Sequence, residues 1–135
     1  MAPSSSSPAQ QPVPRLLADV RQAAASAPPD ATGALWRLAE PGRQLDANLV
    51  RLPPGGRVEA HTEPDLDVLL LVVAGDGALL GDGEPQPLAE GALAWLPHGA
   101  RRAVTAGERG MTWLTVHRRR PGLRIRPPGE APDLG

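Results

Sequence analysis

The sequence predicts an all-β domain, and three observations carry that prediction. Seventeen Pro and fifteen Gly are spread through 135 residues that are nonetheless 41% hydrophobic, a composition suited to short strands joined by tight turns. Short apolar segments recur along the chain: "ALWRLA", "LDANLVRL", "RVEAHT", "DVLLLVVA", "GALL", "QPLA", "ALAWL", "RRAVTA" and "MTWLTVHR". The stretches between them, "EPGRQ", "PPGG", "GDG", "GDGEP", "EG", "PHG" and "GERG", supply the Gly, Pro and acidic residues that reversing a chain requires. Strands at such spacing build a sandwich or a barrel.

In chain order, residues 1–14 form a Pro/Ser/Gln tail without an apolar face to bury and are expected to be disordered. Residues 15–30 hold a short helix and a linker: "RLLADVRQAAASA" places Leu16, Leu17, Val20 and Ala24 near helical spacing, and "PPD" ends it. The barrel is expected over 31–120. Residues 121–135 form a C-terminal tail with one edge strand at most.

Composition excludes several function classes. There is no Cys, so neither a disulfide framework nor a thiolate metal site is available. No apolar run approaches the roughly 18 residues of a membrane span, and "MAPSSSSPAQQPVP" lacks the basic and apolar regions of a secretory signal, so a cytoplasmic protein away from membranes is expected. A net charge of -1 gives no global attraction to nucleic acid. The run Arg118, Arg119, Arg120 has no interleaved aromatics and reads as a solvated strand end. Charge is nevertheless segregated: eight acids and no Arg lie between Val58 and Ala100, whereas eight Arg and only Glu108 lie from Arg101 to Arg126. Pairing of strands from these two parts balances them locally.

The chemistry concentrates in "GGRVEAHTEPDLDVLLLVVAGDG", Gly55 to Gly77, where His61 is followed at steps of two by Glu63, Asp65 and Asp67. In an extended chain residues two apart share a face, so Glu59, His61 and Glu63 point one way. Asp65 follows Pro64 and suits a turn. Together with "GALAWLPHGARRAVTA", this stretch resembles the paired motifs of the cupin superfamily. Gly55 or Gly56, His61, Glu63, Asp67 or Val68, and Gly75 fall on the first motif; Gly91, Pro97 and Gly99 fall on the second. Glu63 stands where a second histidine is usual, Asp67 lies at or beside the glutamate position, and Arg102 replaces the third histidine. The resemblance spans about residues 32 to 120 and implies a double-stranded β-helix, a jelly-roll barrel with its pocket inside, commonly dimeric.

The substitutions bear on what that pocket holds. Metal cupins bind their ion through imidazoles and a carboxylate. A guanidinium at Arg102, always protonated, repels a cation, and is suited instead to pairing with Glu63 or Asp67. The expected function is therefore metal-independent binding or sensing of a small molecule by a homodimer, with His61, Glu63, Asp67 and Arg102 as ligand-binding residues and no residue assigned to catalysis. The first alternative is a metal-dependent enzyme of isomerase or dioxygenase type, holding a divalent metal through His61, Glu63 and Asp67. The second is a structural or partner-binding barrel without a ligand. His98, between Pro97 and Gly99, is expected in solvent; parity leaves open whether His117 faces the pocket. Trp36, Trp95 and Trp113 are expected in core or rim packing.

Overall fold

The computed structural model describes residues 12–120. One short helix, α1 (Val20–Ser26), precedes seven strands: β1 (Gly33–Arg37), β2 (Leu45–Leu52), β3 (Arg57–Thr62), β4 (Val68–Leu80), β5 (Gln86–Leu88), β6 (Leu93–Leu96) and β7 (Arg101–Arg118). The expected tail over 1–14 lies mostly outside the described residues, and the expected C-terminal tail over 121–135 lies wholly outside them. The helix begins later than the apolar spacing suggests. Asp19 accepts a hydrogen bond from the Gln22 backbone N–H at 3.1 Å, which caps the first turn. Leu16 and Leu17 are left before the cap and exposed. No helix among the described residues is long and apolar enough to cross a membrane.

The strands form one antiparallel sheet in the order β1-β2-β7-β4-β5, with β3 added on β7 and β6 on β4. The arrangement is a jelly-roll barrel. Its backbone is the β4–β7 ladder, which runs from Val68 opposite His117 to Leu80 opposite Ala103. Two turns expected from the sequence, "GDG" at 75–77 and "GERG" at 107–110, are instead points where this ladder bends. Register shifts fall between Val72 and Ala74 and between Gly75 and Gly77, and Gly75 (φ +74°) faces Gly110 (φ +76°). A Cβ on Gly75 would lie 2.1 Å from the Gly110 carbonyl oxygen. Glycine here lets two strands cross closely enough to fold over rather than reverse. The second copy of the motif, at 81–83, does lie in a turn, between β4 and β5.

Alternation sorts the side chains into two layers. The inner face buries Val68, Leu70, Val72, Leu79, Leu88, Leu96, Val104, Ala106, Met111 and Trp113. On the outer face α1 covers part of the sheet, where Ala24 packs with Leu49 and Val73 and against Trp36 and Leu114. Arg51 fastens this helix by donating to the Ala24 and Pro28 carbonyls and to Thr112 Oγ1. Two tryptophans are thus in packing as expected. Trp95 is not: it stands 63% exposed on the outer face of β6.

Candidate functional site

The inner face changes character at one end of the barrel. Directly opposed residues of an antiparallel pair project to the same side. Met111, Trp113, Thr115 and His117 of β7 oppose Leu52, Val50, Asn48 and Asp46 of β2. The first two pairs are apolar and lie in the core, whereas the last two are polar. His117 also opposes Val68 of β4, which in turn opposes Leu96 of β6. From Leu96 the chain turns through Pro97–Ala100 into Arg101 and Arg102, and Arg102 opposes His61 of β3. The bent ladder therefore brings its two ends, His117 and Arg102, to one mouth of the barrel.

Glu63 joins these ends. It is buried, accepts from Arg120 Nη2 at 2.5 Å and from the Asp65 backbone N–H at 2.8 Å, and its own carbonyl accepts from Gly99 N at 2.8 Å. Burial pushes its carboxyl up, but the Arg120 hydrogen bond, the Asp65 N–H, the Arg120 charge and the Leu66 N–H together hold it below its ordinary value of 4.5. Arg102 is only 6% exposed. Burial lowers its pKa, and the charge of nearby Glu63 works in the opposite direction. Its Nη1 donates to the Ala100 carbonyl at 3.1 Å and the Pro97 carbonyl at 3.4 Å. These backbone bonds fix the side chain without neutralising it.

The ion pair expected between Arg102 and Glu63 or Asp67 is thus not formed. Glu63 binds Arg120 instead, and among the described residues no carboxylate makes a salt bridge with Arg102. The structure brings His61, Glu63 and Arg102 together but sets Asp67 apart. Residues 63–67 form a bend rather than a strand, so the alternation that would align Asp67 with Glu63 is broken. Asp67 is exposed and accepts from the His98 backbone N–H at 2.9 Å, with His98 Nδ1 2.6 Å from the same oxygen. These bonds hold its carboxyl below the ordinary value. His61, partly buried, places Nδ1 3.0 Å from the Glu59 carbonyl.

Three residues at the mouth were not assigned to it by sequence reasoning. His117 is buried, its Nδ1 lies 2.8 Å from the Arg118 carbonyl, and its Nε2 has no hydrogen-bond partner. The alternation of Met111, Trp113, Thr115 and His117 behind a bulky apolar residue was the available signal. Arg120 sits in an arginine run that gives no hint which member turns inward. Asp46 meets Arg43 Nε at 2.9 Å, so this second acid at the mouth is also neutralised.

These residues do not fit a bound metal. Of the three sequence-predicted ligands, Glu63 is engaged by Arg120, Asp67 lies outside with His98, and the fixed charge of Arg102 stands across from His61. No group of three or more potential ligands is close enough to hold an ion among the described residues.

A jelly-roll barrel whose interior turns polar at one mouth is the class that fold and site define. The family model for the cupin domain matches residues 48–117, and the chain belongs to the cupin superfamily. Among solved structures it is similar to a sugar phosphate isomerase of that superfamily from Silicibacter pomeroyi, with 29% identity, a TM-score of 0.54, and coverage of 58% of this chain and 53% of that one. The match therefore spans only about half of that protein's length. KdgF from a Halomonas species aligns with 22% identity, a TM-score of 0.58 and coverage of 64% and 78%. TT1209 from Thermus thermophilus aligns with 23% identity, a TM-score of 0.61 and coverage of 78% and 98%. The last two likenesses concern the fold. No curated protein matches the chain significantly.

Proposed function

We propose that this cupin is a metal-independent binding or sensing module for a small anionic molecule, with Arg102 as the anchor and His61 and His117 beside it. One observation carries the reading: a buried guanidinium bonded through a single nitrogen to backbone carbonyls, while the nearest acid, Glu63, is taken by Arg120. Burying a charge without a contacting counter-charge is costly, and an anion that reaches Arg102 relieves that cost. Val68, which opposes His117 and Leu96 in the ladder, and Trp113 on the same face would offer the carbon skeleton of such a ligand apolar contact. Thermal-shift and calorimetric titration of chelator-treated protein with short carboxylates tests the reading. Binding that survives the chelator and disappears in Arg102→Met supports it. Binding unaffected by that substitution refutes it.

The proposal takes the protein as a cytoplasmic homodimer. The absence of cysteine suits a reducing compartment. Support for self-association is an apolar strip on the outer face of β4 and β6, where Leu69 opposes Trp95 and both stay exposed next to Leu93.

A further inference from the structure

Resting on that reading, we infer that the ligand is a hydroxycarboxylate: its carboxylate meets Arg102 and a hydroxyl donates to His117 Nε2. The two ends of such a molecule are specified by different atoms. Because Nη1 of Arg102 is occupied by the Ala100 and Pro97 carbonyls, the edge formed by Nε and Nη2 has no hydrogen bond among the described residues. Two parallel N–H groups on one edge match the two oxygens of a carboxylate side-on, which a single point charge does not.

His117 sets the second requirement. A carbonyl oxygen only accepts, so the nitrogen 2.8 Å from the Arg118 carbonyl, Nδ1, carries the hydrogen. In the neutral ring Nε2 is then a lone-pair acceptor. It is the one buried side-chain nitrogen or oxygen without a partner among the described residues, and its ring lies on the inner face with Thr115 and Trp113. Buried polar atoms are almost always paired, and an acceptor that no group among the described residues satisfies suits a donor brought by a ligand. An ionised carboxylate has none to give at neutral pH, but a hydroxyl does. His61, opposite Arg102 in the ladder and with Nδ1 3.0 Å from the Glu59 carbonyl, is partly exposed and sets no such requirement. A plain fatty acid would leave the His117 acceptor unpaired, and a neutral polyol would leave Arg102 unanswered.

The test rests on butyrate and 3-hydroxybutyrate, which differ only in one hydroxyl, with a longer polyhydroxy acid and an inorganic anion beside them. The full chain, treated with a chelator, is titrated calorimetrically with butyrate, 3-hydroxybutyrate, gluconate and inorganic phosphate. Each hydroxy acid is expected to bind about tenfold or more tightly than butyrate, the effect of satisfying one buried acceptor. That advantage, read in each variant as the ratio of hydroxy-acid to butyrate affinity, should vanish in His117→Phe and persist in part in His117→Gln, which keeps an acceptor. Equal affinity for 3-hydroxybutyrate, gluconate and butyrate in the wild type overturns the hydroxyl assignment even if His117→Phe does not fold, and leaves anion binding at Arg102 standing. Phosphate bound more tightly than every carboxylate overturns the carboxylate assignment. Failure of all four anions to bind overturns the underlying reading as well.

Discussion

Glu63→Gln removes one charge from the mouth of the barrel while keeping the shape of the side chain. In the wild type that carboxylate accepts a charge-assisted bond from Arg120 and another from the Asp65 N–H, and it is the nearby counter-charge for Arg102. Hydrogen bonds to a charged group contribute about 1.5–3 kcal/mol, against about 0.5–1.5 for neutral ones. With Gln the Asp65 bond becomes neutral and the Arg120 bond, still donated by a charged guanidinium, loses its counter-charge; together these changes cost about 2 kcal/mol, and the lost attraction to Arg102 adds a smaller amount. The total stays below the roughly 3–5 kcal/mol for breaking a fully buried pair, because the Arg120 side chain is 23% exposed. Urea unfolding at pH 7 measures the loss, and a double-mutant cycle with Arg120→Met isolates the pair, with an expected coupling of about 1 kcal/mol or more. Removing a negative charge beside Arg102 should at the same time tighten anion binding. A loss below about 0.5 kcal/mol, the value of an exposed pair, refutes the buried-pair argument. Weaker anion binding in Glu63→Gln contradicts the electrostatic explanation of the mouth.

The same pair sets a pH dependence. Glu63 titrates below its ordinary value of 4.5 in the folded protein, so the unfolded chain binds its proton first as pH falls. The stabilisation is full above about pH 5 and is lost as pH drops through the depressed pKa; acid unfolding of Glu63→Gln should lack this component. At the bend of the ladder, Gly77→Ala puts a Cβ 2.0 Å from the Thr105 carbonyl oxygen, and a loss of about 2 kcal/mol or more is expected in urea. Gly83→Ala meets nothing within 4 Å and should be nearly neutral. On the outer face, Trp95→Glu should shift a dimer to monomer in sedimentation without lowering the unfolding midpoint of the monomer. An unchanged sedimentation coefficient would place self-association elsewhere.

The fold was readable because strands and turns are written in local alternation and in Gly/Pro punctuation. The errors came where one signal serves two structures. Asp-Gly at 76–77 marks a hairpin in most contexts, but here Gly75 and Gly77 pass against Gly110 and Thr105, and only the partner strand shows that the chain bends through. Of the candidate site, the motif frame made one pairing legible: His61 and Arg102 oppose each other. Asp67 was placed by counting in twos through Pro64, beyond which the chain is no longer extended. Arg120 was unreadable in principle, since choosing among three successive arginines depends on where Glu63 lies in space. The unpaired Nε2 of His117 is likewise a property of packing, and alternation supplies only the face on which that ring lies.

Anion binding at the mouth through Arg102, without a metal, is the proposal on which the others depend. Calorimetric titration of a short carboxylate into chelator-treated protein at low salt decides it. One site per chain is expected, with an affinity unchanged when zinc, nickel, manganese or iron is supplied, and with the signal lost in Arg102→Met. Binding that appears only after a divalent ion is restored, and that depends on His61 rather than Arg102, would overturn it.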